Sequence, residues 1–256
     1  VKVEIIGAIS KGQKGQELSA MGAMAKEGVV AFSDDGHYVE NSDFMRKAME
    51  YASMFHKIII DHCEEQSLVE GGNMHEGVVS NELGIKGRPA VAEDIAVARD
   101  IFLAEATGTP VHIAHISTKN AVDLVRQAKK RGVQVTAEVT PQHLIFTDEA
   151  LRTFETRYKM NPPIRSDIHR DACVEGLKDG TIDAVVEILN SDLPRENAWT
   201  GADTLKNLIL KYYPGPDSNL LNSVLFDIFA TEQDLASHNR VEDYIFVPAI
   251  LSLEKQ

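Results

Sequence analysis

Residues 57–62 read KIIIDH, a run of three isoleucines closed by an aspartate and a histidine. A short apolar run of this kind reads as a buried strand, and it places His62 just beyond the strand's C-terminal end. The arrangement recurs on either side. VVAFSDDG at 29–36 ends its apolar run on Asp34 and Asp35, and VHIAHI at 111–116 carries His112 and His115. Further strand candidates are VEIIGAI (3–9), VQVTAEV (133–139), YKMN (158–161) and IDAVV (182–186). Between them lie helical patterns. Residues 42–56 space Met45, Ala48, Met49, Ala52 and Phe55 three or four apart, with Asn41 or Ser42 placed to cap. Residues 89–106 carry Val91, Ile95, Ala98 and Phe102 as an apolar set, and 118–131 ends KKR before Gly132, which suits a helix C-terminus. Strand alternating with helix predicts right-handed βαβ units and a parallel sheet, hence a doubly wound sheet or a (β/α)₈ barrel. No GxGxxG or GxxxxGK[ST] run follows a strand, which removes support for nucleotide-type phosphate binding. Polar residues instead gather at strand ends (Asp35, His62, His115), as in barrel enzymes, so the predicted class is α/β with a TIM-type barrel. The stretch 64–88 is read as a long loop over the active-site face.

The 256 residues carry a net charge of −13, with 43% hydrophobic and 25% charged residues. An acidic chain of this kind is a poor partner for nucleic acid or an anionic membrane, and no apolar run nears the ~20 residues that span a bilayer. Two cysteines, Cys63 and Cys173, imply no disulfide framework and place the chain in a reducing cytoplasm. The opening VKVEIIGAIS has no preceding methionine and reads as a strand, so the chain is expected to begin inside a fold, without a signal peptide.

His62 follows Asp35 by 27 residues (62−35), and His115 follows His62 by 53 (115−62), distances that βα units can bridge. Adjacent strand residues face opposite ways, so one of Asp34 and Asp35 can aim into the barrel mouth. His112 and His115 diverge for the same reason, and His115 lies nearer the strand end. Two imidazoles and a carboxylate converging on a point suit zinc or another borderline divalent ion, which acidifies a bound water and polarises a carbonyl. The competing reading makes Asp35 a turn residue and each histidine an ordinary hydrogen-bonded one. His37, His56, His75 and His169 are expected in solvent or loops, and His143 in a structural role.

Taken in order, FSDDG, HCEE, VHIAHIST, AEVTPQHL, KMNPPIR and LKDGTIDA resemble dihydroorotase of the bacterial type, within the amidohydrolase superfamily, over residues 1–186. The resemblance implies a metal-dependent barrel holding one or two zinc ions. Its small-molecule substrates would be N-carbamoyl-L-aspartate and L-dihydroorotate, interconverted in pyrimidine biosynthesis. It also implies that Asp35 is the carboxylate shared by two metals, that His62 and His115 bind the second metal, and that Asn161 binds substrate. Asp34 then faces away and steadies the turn.

Two departures stand against it. The family's first-strand HxH pair, with its arginine, has no counterpart, so the N-terminal barrel units are expected to be missing and at most one metal site is supported. Where the family's last strand carries its proton-shuttling aspartate stands Ile188, with Asp192 where its last histidine falls. No catalytic residue is therefore assigned, and activity is expected to be impaired.

Beyond 186 the composition changes. Residues 187–200 read as a junction and 201–256 as a short all-α segment. SHNRVEDYIFVPAI, with His238 and Glu242 one helical turn apart, resembles the last helix of hemerythrin-like domains and implies a weak alternative iron site. A third reading is an inactive barrel scaffold. Exposed strand edges predict a homo-oligomer. A seam between two coding regions near 186–190 would explain both departures.

Overall fold

The computed structural model describes residues 4–186. Six short strands form one sheet in the order β1 (Ile6–Gly7), β2 (Ala31–Phe32), β3 (Ile58–Asp61), β6 (Val111–Ile113), β7 (Val135–Val139), β8 (Ala184–Val185). Every neighbouring pair is parallel. The strands follow one another in chain order without the reversal of a doubly wound sheet, which is the progression of a barrel wall. Between β3 and β6 the chain leaves the wall as a separate parallel pair, β4 (Met74–His75) and β5 (Gly87–Arg88).

The crossovers are α1 (Met21–Lys26), α2 (Ser42–Ser53), α5 (Val91–Thr107), α6 (Lys119–Lys130) and α8 (Asp167–Lys178), with α7 (Pro141–Ile145) after β7. Local chemistry fixes their ends. The Asn41 side chain accepts the Phe44 amide at the start of α2, and Thr118 accepts the Ala121 amide at the start of α6. Lys129 and Lys130 close α6 against its dipole. No helix among the described residues is long and apolar enough to cross a membrane. Burial alternates along β7: Val135, Ala137 and Val139 are buried, while Thr136 and Glu138 are partly exposed. The second face also carries His112, whose ring bonds Thr136 Oγ1 at 2.8 Å and Glu138 Oε2 at 2.9 Å.

Three expectations are corrected. Residues 158–161 form no strand. The 3-10 turn Thr156–Tyr158 runs into a non-repetitive segment with a cis Asn161–Pro162 bond. The stretch 64–88 is not a plain loop, because it holds α3 (Gln66–Val69), β4, α4 (Val78–Leu83) and β5. On α5 the buried face is Ala92, Glu93, Ala96, Val97, Asp100, Ile101 and Ala104, whereas Val91, Ile95 and Phe102 are exposed. Two buried acids with specific partners displaced the apolar set that periodicity selects. Gly87 lets β5 lie against the chain after β4: a Cβ there would stand 2.4 Å from Glu76 Cα, leaving no room for a side chain.

Candidate functional site

The register Asp61↔Ile113 sets the ends of β3 and β6 side by side. His62, one residue past β3, and His115, two past β6, therefore meet. Their rings stand edge to face with centroids 4.6 Å apart, and His62 Nδ1 lies 2.8 Å from His115 Nε2. One ring donates its N–H to the other's lone pair. Both are buried, and the backbone of His115 takes φ 37, a left-handed conformation that a non-glycine residue adopts under local strain. The outer nitrogen of His115, Nδ1, is buried without a hydrogen-bond partner. Burial pushes His115 down to about 3, and the nearby His62 and His143 rings act in the same direction. Its ring is thus neutral at physiological pH, the form that ligates metals.

The other edge of His62 meets three polar side chains. Its Nε2 lies 3.1 Å from Asn161 Nδ2 and 3.6 Å from Glu64 Oε2. Arg88, at the end of β5, donates through Nη1 to Asn161 Oδ1 at 2.7 Å and to both Glu64 oxygens at 3.0 Å. Burial alone would raise Glu64, but the bond to His62 and the Arg88 charge outweigh it and bring the carboxyl to about 2. Behind Asn161, His143 is fully enclosed between Thr140 Oγ1 at 2.8 Å and the Pro162 carbonyl at 3.0 Å. A buried Arg165 joins the excursion to the wall. It donates to the Arg88 carbonyl at 3.0 Å and to Ser117 Oγ at 3.1 Å, and it pairs with Glu93 at 3.5 Å.

The adjacent aspartates, both beyond the end of β2, take different surroundings. Asp34 is buried and its Oδ1 accepts the amides of Ile9 and Ser10, each at 2.9 Å, while Oδ2 accepts the Ser10 hydroxyl. Asp35 is exposed, and its carboxylate does not stand within 4.8 Å of both histidine donor atoms. Among the described residues, the group of three metal-capable side chains with donor atoms within 4.8 Å of one another is Asp61, Cys63 and Asp100. There Arg99 Nη2 already stands 3.2 Å from Asp61 and 2.6 Å from Asp100. A guanidinium fills the place a cation would take, and burial raises both Asp61 and Cys63. The structure thus brings together His62, His115 and Asn161. Ile188, Asp192, His238 and Glu242 lie outside the described residues. Glu64, Arg88, Arg165 and Glu93 were missed by sequence reading. Glu64 lies in the HCEE run, but Arg88 meets Asn161 across 73 residues. His75, expected in a loop, is buried against Arg165, with burial and that charge lowering it to about 3.

A wall of parallel strands with polar side chains converging at its C-terminal rim defines a partial parallel α/β barrel. Residues 1–121 match the family model described as dihydro-orotase-like. Over 185 residues the chain is 56% identical to a dihydroorotase of Pelotomaculum thermopropionicum, covering 72% of this chain and 43% of that protein. It is 54% identical over 185 residues to one from Acetivibrio thermocellus, with the same coverage. The chain thus spans less than half the length of these curated relatives. Among solved structures, L-hydantoinase (dihydropyrimidinase) from Arthrobacter aurescens superposes with a TM-score of 0.60 at 21% identity, over 71% of this chain and 42% of that one. Dihydropyrimidinase from Brevibacillus agri gives 0.57 at 20%, over 75% and 44%. These likenesses carry the fold. Over residues 1–121 the chain is thus similar to dihydro-orotase-like proteins.

Proposed function

We propose that this chain supplies part of a metal-dependent cyclic-amide hydrolase centre of the dihydroorotase type. The observation that carries this is the facing pair of ring nitrogens, His62 Nδ1 and His115 Nε2 at 2.8 Å, with Asn161 on the far edge of His62. The neutral, buried His115, with Nε2 beside His62 Nδ1, suits a ligand set for one borderline divalent ion, taken as zinc. Such an ion, when bound, acidifies water and polarises the ring amide carbonyl. Asp35 joins as the carboxylate ligand by its place in the FSDDG motif. The exposed Asn161 amide orients dihydroorotate or N-carbamoyl aspartate.

The barrel part is carried by the described residues 4–186; the junction read at 187–200 and the helical segment read at 201–256 lie outside the described residues. The two buried free cysteines fit a reducing cytoplasm, and among the described residues β1 and β8 end the sheet, edges through which copies can associate. Because Ile188 stands where the family's proton carrier belongs, turnover is reduced by at least ~10²-fold relative to an intact relative.

The test is calorimetric binding of N-carbamoyl-L-aspartate to the zinc-loaded chain, with dihydroorotate hydrolysis followed in parallel. Zinc-dependent binding lost in Asn161→Ala supports the assignment. Binding indifferent to zinc and to Asn161 refutes it, and turnover equal to an intact relative refutes the impairment.

A further inference from the structure

Beside Asn161, the outer edge of His62 meets Glu64, and Arg88 holds both of these side chains. Glu64 Oε2 lies 3.6 Å from His62 Nε2 and 3.5 Å from Asn161 Nδ2. Both of its oxygens are held at 3.0 Å by Arg88 Nη1. Arg88 is itself fixed, its Nε donating to the Gly72 carbonyl at 2.8 Å and its own carbonyl receiving Arg165 at 3.0 Å. The clamp is therefore built into the excursion between β3 and β6, and one nitrogen of it addresses Glu64 and Asn161 together.

Hydrogen-bond accounting assigns the clamp a purpose. When Nδ1 of His62 donates its N–H to His115 Nε2, its Nε2 holds the lone pair and accepts from Asn161 Nδ2. When Nδ1 gives its lone pair to an ion, the ring's one proton must reside on Nε2, and Nε2–H then needs an acceptor. Asn161 cannot serve while its oxygen is held by Arg88 and its NH₂ points at the ring. The nearest acceptor is Glu64. A carboxylate that receives the outer N–H of a ligating histidine fixes its tautomer and orientation and raises its basicity.

On the reading that His62 and His115 hold an ion, we propose that Glu64 is a positioning residue. It accepts the Nε2 proton of the ion-bound His62, and Arg88 holds Glu64 in place while presenting the Asn161 amide to substrate. Ion binding and the orientation of Asn161 are thereby linked through one side chain of the excursion.

The experiment titrates Co²⁺ into the full 256-residue chain, following the cobalt absorption band in the unsubstituted chain, Glu64→Gln, Arg88→Met and His62→Ala, with far-UV circular dichroism as the check on folding. The expected result is a 10–100-fold weaker cobalt affinity in Glu64→Gln and Arg88→Met at unchanged stoichiometry, and loss of the site in His62→Ala. Affinity within about twofold of the unsubstituted chain in Glu64→Gln, with the site lost in His62→Ala, overturns the role of Glu64 and leaves the metal centre standing. Unchanged affinity in His62→Ala overturns the metal centre itself. Should Glu64→Gln not fold, the ring ¹⁵N shifts of His62 in the zinc-loaded unsubstituted chain decide. A metal-bound Nδ1 with a protonated, hydrogen-bonded Nε2 supports the proposal, and a metal-bound Nε2 refutes it.

Discussion

Replacing Asp34 by alanine removes the side-chain acceptor that ties the segment after β1 to the segment after β2. Three donors lose their partner: the amides of Ile9 and Ser10, each 2.9 Å from Oδ1, and the Ser10 hydroxyl. Ile9 and Ser10 are both 0% exposed, so water cannot replace the lost acceptor without opening the structure. Hydrogen bonds to a charged group contribute about 1.5–3 kcal/mol each, and a stranded buried donor costs about 1–3 kcal/mol. With partial relaxation the three together come to about 3–5 kcal/mol, a large share of the ~5–15 kcal/mol that holds a domain together. Asp35→Ala, at the exposed neighbour, should stay within about 0.5 kcal/mol. Urea unfolding followed by far-UV circular dichroism reads both, with the midpoint falling for Asp34→Ala and hardly moving for Asp35→Ala. Equal midpoints in the two variants would refute the division of labour between the adjacent carboxylates.

Arg165→Met leaves the buried Glu93 without its guanidinium and should destabilise by about 3–5 kcal/mol in the same assay. Gly87→Ala forces a methyl group against Glu76. It should cost about 1–3 kcal/mol and make the excursion 64–88 the first site of limited proteolysis. His143 has its folded value pushed from 6.5 down to about 4, chiefly by burial. Its contribution is therefore present above pH 6.5 and is lost as pH falls toward 4, where the unfolded chain takes up the proton first. The full loss is on the order of 3 kcal/mol, and His143→Asn should flatten the fall in the urea midpoint between those pH values.

The parts of the fold legible in sequence were those written in local chemistry. Asn41, one of the two caps the sequence offers for α2, bonds an amide three residues on. The wrong face of α5 came from apolar periodicity. Val91, Ile95 and Phe102 share a stripe, but Glu93 accepts the amides of Ser117 and Thr118 and Asp100 pairs with Arg99, contacts that periodicity cannot weigh. The histidine pair was accessible because both residues end apolar runs. Arg88 and Glu64 were not, because what they bond is decided by where an excursion folds back and by a segment near residue 161.

Zinc-edge anomalous scattering from crystals of the zinc-loaded chain is the most direct test of the centre. The predicted result is an anomalous peak bonded to Nδ1 of His62 and Nε2 of His115, with Glu64 on the outer edge of the His62 ring. A peak among Asp61, Cys63 and Asp100, or none within bonding reach of the two histidines, would contradict it.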